Sequence, residues 1–286
     1  MSNRRPIPPE TVRFYRAEVR RATEVSTGFR RVTIASEELS DFSYLGFDHW
    51  FRLFLPHPDQ AEWRLPTATS KLWYAQWLAT PSRQRPHCAN YTVADFRPAE
   101  LELDIDVVLH RRLSGELEGR VAQWAATAGP GDPVALLDEG LLFNPPPDTS
   151  TVLLTGDESA LPAMAGILRS LPPSTTGHAV LEVPAQADIR DLPRPAGLEL
   201  HWAVRAELDS TATPGAAALT ALTGLARTGG FDPTQTYAFL VGESRLATEG
   251  RRHLVRQGLP KDRITFCGFW KSPVADRRRV PARAKS

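Results

Sequence analysis

The amino-acid sequence predicts a two-domain protein, an antiparallel β-barrel followed by an α/β domain built on a mostly parallel sheet. In the first half, short segments of alternating apolar and polar residues are separated by glycine and proline, which is typical of antiparallel strands. In the second half, continuous apolar strands alternate with helical segments, the pattern of a parallel sheet covered on both faces. The 286 residues, 42% of them hydrophobic, suffice for two cores.

The first half supplies the strands of the predicted barrel. The clearest lies in Leu101–His110, where apolar side chains fall on one face before the segment becomes apolar throughout. Gly119–Ala128 is the one evident helix in this half, and it stops at the turn Gly129–Asp132. The other predicted strands are Val12–Glu24, Phe29–Ala35, Phe51–Pro56 and Pro133–Leu137.

The second half begins after a stiff linker, Asn144–Asp148, that contains three prolines. We predict domains at residues 1–147 and 148–271, followed by a basic tail, 272–286, which we expect to be mobile. Predicted strands are Val152–Thr155, Ala179–Val183, Leu198–Val204, Tyr237–Val241 and Ile264–Trp270. Predicted helices are Leu161–Leu171, Ala216–Ala226 and Leu246–Gln257.

Composition excludes several classes of function. The formal net charge of +1 gives no bulk field for nucleic acid or a membrane surface. No apolar run is long enough to span a bilayer, and no secretion signal is visible at the start, so we expect a cytoplasmic protein. The only two cysteines, Cys88 and Cys267, are expected to be reduced thiols.

The turn after the predicted strand Val152–Thr155 argues against one kind of nucleotide site. A dinucleotide-binding turn normally supplies several glycines, whereas here Gly156 is followed by Asp157 and Glu158. Carboxylates at a helix start are stabilised by the helix dipole but repel phosphate. We therefore predict no classical pyrophosphate site at this turn.

Two other segments carry groups suited to a cofactor. Ala89–Val93 is predicted to begin a strand. In this segment a tyrosine next to a threonine offers a flat apolar surface and a hydrogen-bond partner, although both residues are also common in strands. In Gly119–Trp124, a helix start presents free amides and an arginine to a phosphate, although an ordinary amphipathic helix is the alternative. His110 has no second histidine at zinc-ligand spacing, so we predict no metal site.

In this order and spacing, the segments resemble the siderophore-interacting protein family, within the ferredoxin–NADP reductase superfamily. The resemblance runs from Phe14 to Lys271. The segments that carry it are Gly46–Asp48, Phe51–Pro56, Tyr91–Val93, Asp104–His110, Trp124–Ala125, Pro130–Asp132, Gly156–Ala163, Gly242–Glu243, Arg251–Leu254 and Gly268–Lys271.

The resemblance implies noncovalent FAD in the β-barrel and an NAD(P)H-binding-like α/β domain. NADH, NADPH or another donor such as ferredoxin would reduce the flavin, and electrons would pass to a ferric siderophore and release ferrous iron. Hydride donors give two electrons at once, while ferric iron accepts one. Because a flavin can exchange electrons in pairs and singly, the cofactor carries the redox chemistry. No acid–base pair is required, and we nominate no catalytic side chain.

The resemblance also implies residue roles. Tyr91 would lie against the flavin, with Thr92 and Val93 at its ring or ribityl chain. His110 and the segment from Gly119 to Trp124 would hold the pyrophosphate, including Arg120, Val121 and Ala122. From the α/β domain the cofactor contacts would be Ser159, Phe269 and Trp270.

Two features depart from the family pattern. The family places an arginine two residues before the tyrosine, where it pairs with an FAD phosphate, and this chain has Ala89. The loop after His110 is also lengthened, to Arg111–Glu118. Arg120, Arg111 or Arg112 is the candidate to replace the missing arginine.

Exposed basic residues should steer anionic ferric siderophores, and the candidates are Lys71, Arg111, Arg112 and Lys271. Arg277–Arg279 and Lys285 are candidates to pair with the extra phosphate of NADPH, although the sequence favours the alternative of a solvated tail. Two alternatives stay open. One is a flavin reductase that serves a ferredoxin or flavodoxin, and the other is a non-enzymatic siderophore-binding module.

Overall fold

In the computed structural model, the described residues are 4–58, 60, 62–111, 114–208, 213–228 and 231–272. Contacts divide the chain into two units, each described below by itself. One unit is Pro6–Leu142, and the other begins at Phe143 and takes in the N-terminal residues up to Arg5. The predicted tail lies outside the described residues beyond Ser272.

The first unit contains a seven-stranded antiparallel sheet in the described residues, in the order β4-β3-β7-β1-β2-β6-β5. This confirms the predicted antiparallel, barrel-like domain. Short β5 was not predicted, and β4 was predicted only as a strand that starts at Ala89, two residues after its observed start. The strands are β1 Phe14–Ser26, β2 Phe29–Ala35, β3 Trp50–Leu55, β4 His87–Thr92, β5 Asp95–Arg97, β6 Glu102–Val108 and β7 Pro133–Gly140.

One face of this sheet forms the core of the first unit. Val32 and Ile34 of β2 lie in the same fully buried cluster as Leu103 and Ile105 of β6. These residues are two apart on each strand, so their side chains share a face. The helix α2, Arg120–Thr127, packs Val121 and its neighbours against the same cluster.

The sequence missed one helix in this unit, α1, Leu72–Ala79. Trp73 is buried beneath it, while Leu72, Tyr74 and Leu78 are exposed. Because apolar residues occupy both faces of α1, its sequence lacks the apolar periodicity by which a surface helix is recognised. A one-turn 3₁₀ helix, Glu37–Asp41, follows β2.

The second unit has a five-stranded parallel sheet in the described residues, in the order β10-β9-β8-β11-β12. This confirms the predicted parallel α/β domain. Its strands are β8 Thr151–Gly156, β9 Thr176–Val183, β10 Leu198–Val204, β11 Thr236–Glu243 and β12 Ile264–Trp270. Its helices are α3 Leu161–Ser170, α4 Arg205–Leu208, α5 Ala216–Thr228 and α6 Ser244–Arg256. Short α4 was not predicted.

Strand β11 is buried on both faces, as a central strand of a parallel sheet must be. Ala238 and Leu240 lie in a cluster with side chains of α5 and α6. Tyr237 and Phe239 point to the other face, where both rings contact Phe143. Among the helices of the described ranges, none is both long and apolar enough to cross a membrane.

Candidate functional site

Tyr91 lies near the end of β4, not at the start of a strand as predicted, because β4 begins at His87. Its ring is half-buried and packs against the core cluster, as does Ala89 two residues earlier. Desolvation raises the pKa of the Tyr91 hydroxyl above its ordinary value. No described residue hydrogen-bonds to this hydroxyl, which leaves it free to meet a ligand.

The next two residues differ in what they can offer. Thr92 is 8% exposed and is the last residue of β4. Val93 is fully buried in the core cluster, and its amide donates to the carbonyl of His49 at 2.8 Å. The polar groups available at this strand end are therefore those of Tyr91 and Thr92, with Val93 as packing beneath them.

The start of α2 offers backbone amides that no described residue accepts. The first amide of this helix with an acceptor is that of Gln123, which donates to the carbonyl of Gly119 at 3.2 Å. The amides of Arg120, Val121 and Ala122 precede it. Gly119, with φ of +91°, gives no side-chain cap, and the first turn contains no acid. An uncapped helix start of this kind favours an anion.

The side chains of this helix divide between packing and charge. Val121 and Ala122 are buried, so they can contribute only backbone amides to a ligand. Trp124 is half-buried and packs against the core cluster. Arg120 is the one side chain of the first turn that brings positive charge.

One nitrogen of the Arg120 guanidinium has no hydrogen-bond partner among the described residues. Its Nη2 donates to the carbonyl of Pro56 at 3.0 Å, while its Nε is buried and has no hydrogen-bond partner in the described part of the chain. Burial, and then the charges of Arg120 and His57, lower the pKa of His87. His87 is the first residue of β4 and lies on the same side of the strand as Ala89, so Arg120 brings its charge to the start of β4.

The lengthened loop folds back on its own start. The Glu118 amide donates to the carbonyl of His110 at 2.8 Å. The Nη1 of Arg111 donates to the carbonyl of Gly115 at 3.0 Å, and the Arg111 side chain is exposed. Arg112 lies outside the described residues. Within this loop, Arg111 is the basic candidate whose surroundings are known.

In the second unit, a buried carboxylate sits at the carboxyl edge of the parallel sheet. Asp157, directly after β8, is 1% exposed. Its Oδ1 accepts from the amide of Ser159 at 2.9 Å and from its hydroxyl at 2.5 Å. Its Oδ2 accepts from the amide of Glu243 at 2.6 Å and from the indole N–H of Trp270 at 3.2 Å. Ser159 and Trp270, two predicted site residues, thus share one carboxylate.

A glycine makes room for this carboxylate. Gly242 has φ of +123°, a conformation that favours glycine. A Cβ at this position would lie 2.7 Å from both Cγ and Oδ1 of Asp157. Close packing of β11 on the turn after β8 therefore requires a residue without a side chain.

A second carboxylate, that of Glu243, accepts hydrogen bonds from neighbouring amides. Glu243 accepts from the amides of Arg245 at 2.5 Å and Leu246 at 3.3 Å, at the start of α6. Amides at three points of this edge are bound to the chain's own acids. These amides are therefore already bound within the chain, and the expected absence of a classical pyrophosphate site after β8 stays a prediction.

An ion-pair network fixes the same edge. Arg205 donates to Glu158 at 2.6 Å and to Glu182 at 2.8 Å, and both carboxylates are buried. Glu182 also accepts from the amides of Gly215 and Ala218, at the start of α5. Burial raises the pKa of both acids, and Arg205 opposes the shift.

The pKa of Asp157 is raised from its ordinary value of 3.8 to about 6, by burial and then by the charge of Glu158, against the hydrogen bonds from Ser159 and from the amide of Glu243. The folded state therefore binds a proton between about pH 4 and 6 that the unfolded state has released. The contribution of Asp157 to stability is largest below pH 4 and falls as the pH rises through 6.

We expect the indole N–H resonance of Trp270 to titrate with a midpoint near pH 6, because this group donates to Asp157. NMR of the seven tryptophan indoles would show one such peak, absent in Trp270→Phe. If no indole peak moves between pH 5 and 7, Asp157 keeps one protonation state throughout that range, which contradicts a pKa near 6.

The other candidates are dispersed. Phe269 is half-buried near the end of β12, and Lys271 directly after it is exposed. Lys71 is exposed and immediately precedes α1. Apart from these, most of the predicted cofactor residues lie at three points: the end of β4, the start of α2, and the turn around Asp157.

Two family models match this chain, the siderophore-interacting FAD-binding domain over residues 18–141 and the siderophore-interacting protein over residues 149–273. An uncharacterized protein of Mycobacterium tuberculosis is 32% identical over 240 residues, which are 81% of this chain and 79% of that protein. The chain belongs to the siderophore-interacting protein family. The resemblance seen in the sequence is thereby confirmed.

Two further comparisons agree with this membership. The NADPH-dependent ferric-chelate reductase of Escherichia coli is 32% identical over 161 residues, 56% of this chain and 58% of the reductase. A solved structure of a siderophore utilization protein from T. fusca has a TM-score of 0.75 at 25% identity, over 94% of this chain and 95% of that one. One of these relatives is thus named a ferric-chelate reductase and the other a siderophore utilization protein.

Sequence reasoning missed two parts of this arrangement. Asp157 and Glu158 were interpreted as helix-capping acids, and only the fold shows that Asp157 binds the end of β11 as well. Arg205 was not predicted at all. Its partners Glu158 and Glu182 are distant in sequence, and no local pattern marks such an ion pair.

Proposed function

We propose that this protein is an FAD-dependent reductase that passes electrons to ferric siderophores and releases ferrous iron. The observation that carries the proposal is the uncapped start of α2 beside Arg120, within the segment that matches the FAD-binding family model. The proposed domains are the FAD-binding domain at 1–147 and the NAD(P)H-binding-like domain at 148–271.

The residues of the first unit fit FAD. Its diphosphate is a dianion, and the free amides from Arg120 to Ala122, with the vacant Nε of Arg120, supply donors for it. Tyr91 supplies an aromatic face for the isoalloxazine ring, and Thr92 supplies a hydroxyl. His110 stays a proposed contact on the phosphate side.

When bound, FAD supplies the redox chemistry, because it takes two electrons from a hydride donor and gives them singly to iron. The chain's own residues bind and orient the reactants. The exposed cations Lys71, Arg111 and Lys271 are proposed to attract anionic siderophores, and Arg112 joins them as a proposal from sequence. In the second unit, Ser159, Phe269 and Trp270 stay proposed cofactor contacts.

The electron donor is proposed to be NAD(P)H, with preference for NADPH. One relative is named an NADPH-dependent ferric-chelate reductase. Because amides around Asp157 are bound to internal carboxylates, the donor's phosphates must find other partners. The basic residues Arg277–Arg279 and Lys285 are outside the described residues.

The proposal is tested by following electrons from the reduced protein. Purified FAD-loaded protein is reduced without oxygen, mixed with a ferric siderophore, and followed by flavin absorbance while a chelator traps ferrous iron. We expect rapid reoxidation and about two ferrous ions per FAD, because each ferric ion takes one electron. The gallium(III) complex of the same siderophore is the matched control, since it cannot be reduced and should leave the flavin reduced.

Other outcomes would support the alternatives. If reduced flavin persists with every ferric chelate while a ferredoxin or flavodoxin oxidises it quickly, the protein serves a protein acceptor. If the purified protein neither contains nor takes up flavin but binds siderophore, it is a binding module.

A further inference from the structure

Three metal-ligating side chains meet on one face of the parallel sheet, away from the residues discussed so far. His178 of β9 is the register partner of Glu199 on β10, and His201 lies two residues beyond Glu199. Residues two apart on a strand point to the same face, so all three side chains share it. The sequence predicted no metal site, since strand pairing and not local spacing brings this group together.

The distances between the three ligand atoms match those between the ligands of a bound metal ion. The Nδ1 of His178 lies 3.2 Å from the Nε2 of His201 and 3.5 Å from the Oε2 of Glu199. The Nε2 of His201 lies 3.6 Å from the same oxygen. Tetrahedral zinc with bonds of about 2.0–2.2 Å holds its ligand atoms about 3.3–3.6 Å apart. An ion therefore fits among these atoms without a large movement of the side chains.

The chemistry of the group also suits a divalent transition metal. Two neutral imidazoles and one carboxylate give a net charge of −1, and nitrogen with oxygen is a ligand set that zinc accepts. A simple hydrogen bond between the two histidines would leave Glu199 too far from either ring for a good bond of its own. A shared cation gives all three groups a partner.

The surroundings leave room for further ligands. His178 and Glu199 line a cavity of about 310 Å³, which is also lined by Asp232 and Phe231. The histidine side chains are each 34% exposed, so water has access to the site. Three protein ligands with an open position is a common arrangement for zinc.

We infer that His178, Glu199 and His201 form a binding site for a divalent transition metal, of which Zn²⁺ is the best match. The ion joins β10, the edge strand of the sheet, to β9. His178 lies five residues before the end of β9, about 16 Å along the strand from the carboxyl edge. The site would therefore stabilise the pairing of β9 with β10. It is independent of the proposed reductase function.

The test uses tag-free full-length protein stripped with a chelator and titrated calorimetrically with ZnCl₂. We expect one zinc per chain and a Tm that rises on zinc addition, because a ligand of the folded state stabilises it. Co²⁺ should give the visible absorption of a four-coordinate ion. In His201→Asn and Glu199→Gln, zinc affinity should fall at least about 100-fold and the Tm should no longer respond to zinc.

The exposed Glu207→Gln is the matched control and should bind zinc like the unaltered protein. Far-ultraviolet circular dichroism of each variant checks that it is folded. Absence of a stoichiometric zinc site, or equal affinity in His201→Asn, would overturn the inference. Flavin content should be the same in all these proteins, so this result is separable from failure of the proposed function.

Discussion

Arg120→Ala should weaken FAD binding by about 10- to 100-fold. Hydrogen bonds between an arginine and phosphate oxygens are charge-assisted and contribute about 1.5–3 kcal/mol, and each 1.4 kcal/mol is a factor of ten in affinity. Arg120 stands at a helix start whose amides already favour an anion, and its Nε has no partner among the described residues. Titration of the apoprotein with FAD, followed by flavin fluorescence, measures the change.

The control for this substitution is Arg83→Ala. Arg83 is exposed in the same unit and lies outside the proposed site, so its loss should leave FAD affinity unchanged. The FAD affinity of Arg120→Lys should lie between those of Arg120→Ala and Arg83→Ala, because lysine keeps the charge but lacks the planar guanidinium. Thermal unfolding of each variant without FAD separates a loss of affinity from a loss of fold.

Ala89→Arg tests whether Arg120 replaces the arginine that the family has at this position. Ala89 packs against the core cluster on the same side of β4 as Tyr91. If Arg120 already holds the phosphates, a second arginine should change FAD affinity little or crowd the site. If Ala89→Arg tightens FAD while Arg120→Ala is silent, nothing compensates in the natural sequence. If neither variant changes affinity, the diphosphate binds elsewhere.

Gly242→Ala should lower the free energy of unfolding of the second unit by about 2–4 kcal/mol. A non-glycine residue at φ of +123° is strained by about 1–3 kcal/mol. The new Cβ would also lie 2.7 Å from the Asp157 carboxylate. Displacing that buried group weakens its bonds to Glu243 and Trp270, and a buried group left unpaired costs about 1–3 kcal/mol.

Gly224→Ala is the matched control in the same unit. Gly224 lies within α5, and an added Cβ would have only its chain neighbours and the backbone of its own helix within 4 Å. Alanine favours a helix over glycine by about 1 kcal/mol, so this variant should be as stable or slightly more stable. Urea unfolding followed through the indole resonance of Trp270 reports on this unit. Equal stability of both variants would show that the turn around Asp157 shifts freely.

Local pattern was sufficient for most of the strands. β2, β10 and β12 have the bounds that the sequence predicts, because apolar periodicity and turn residues act over a few neighbours. Helix α1 was missed since its apolar side chains do not repeat on one face. Tyr91 was placed at the wrong end of its strand, because the polar residues at the start of β4 gave no strand signal.

The sequence by itself determined the two-domain fold class and the family, and it predicted the groups suited to a flavin. Only the tertiary structure decided which polar side chains have hydrogen-bond or ion-pair partners. Asp157 and Glu243 are 86 residues apart, and the pairing of β8 with β11 brings them together. The same holds for His178 and Glu199 on β9 and β10. The physical reason is that strand register is set by long-range packing, so burial, ion pairing and metal-ligand spacing appear only after the sheet has formed.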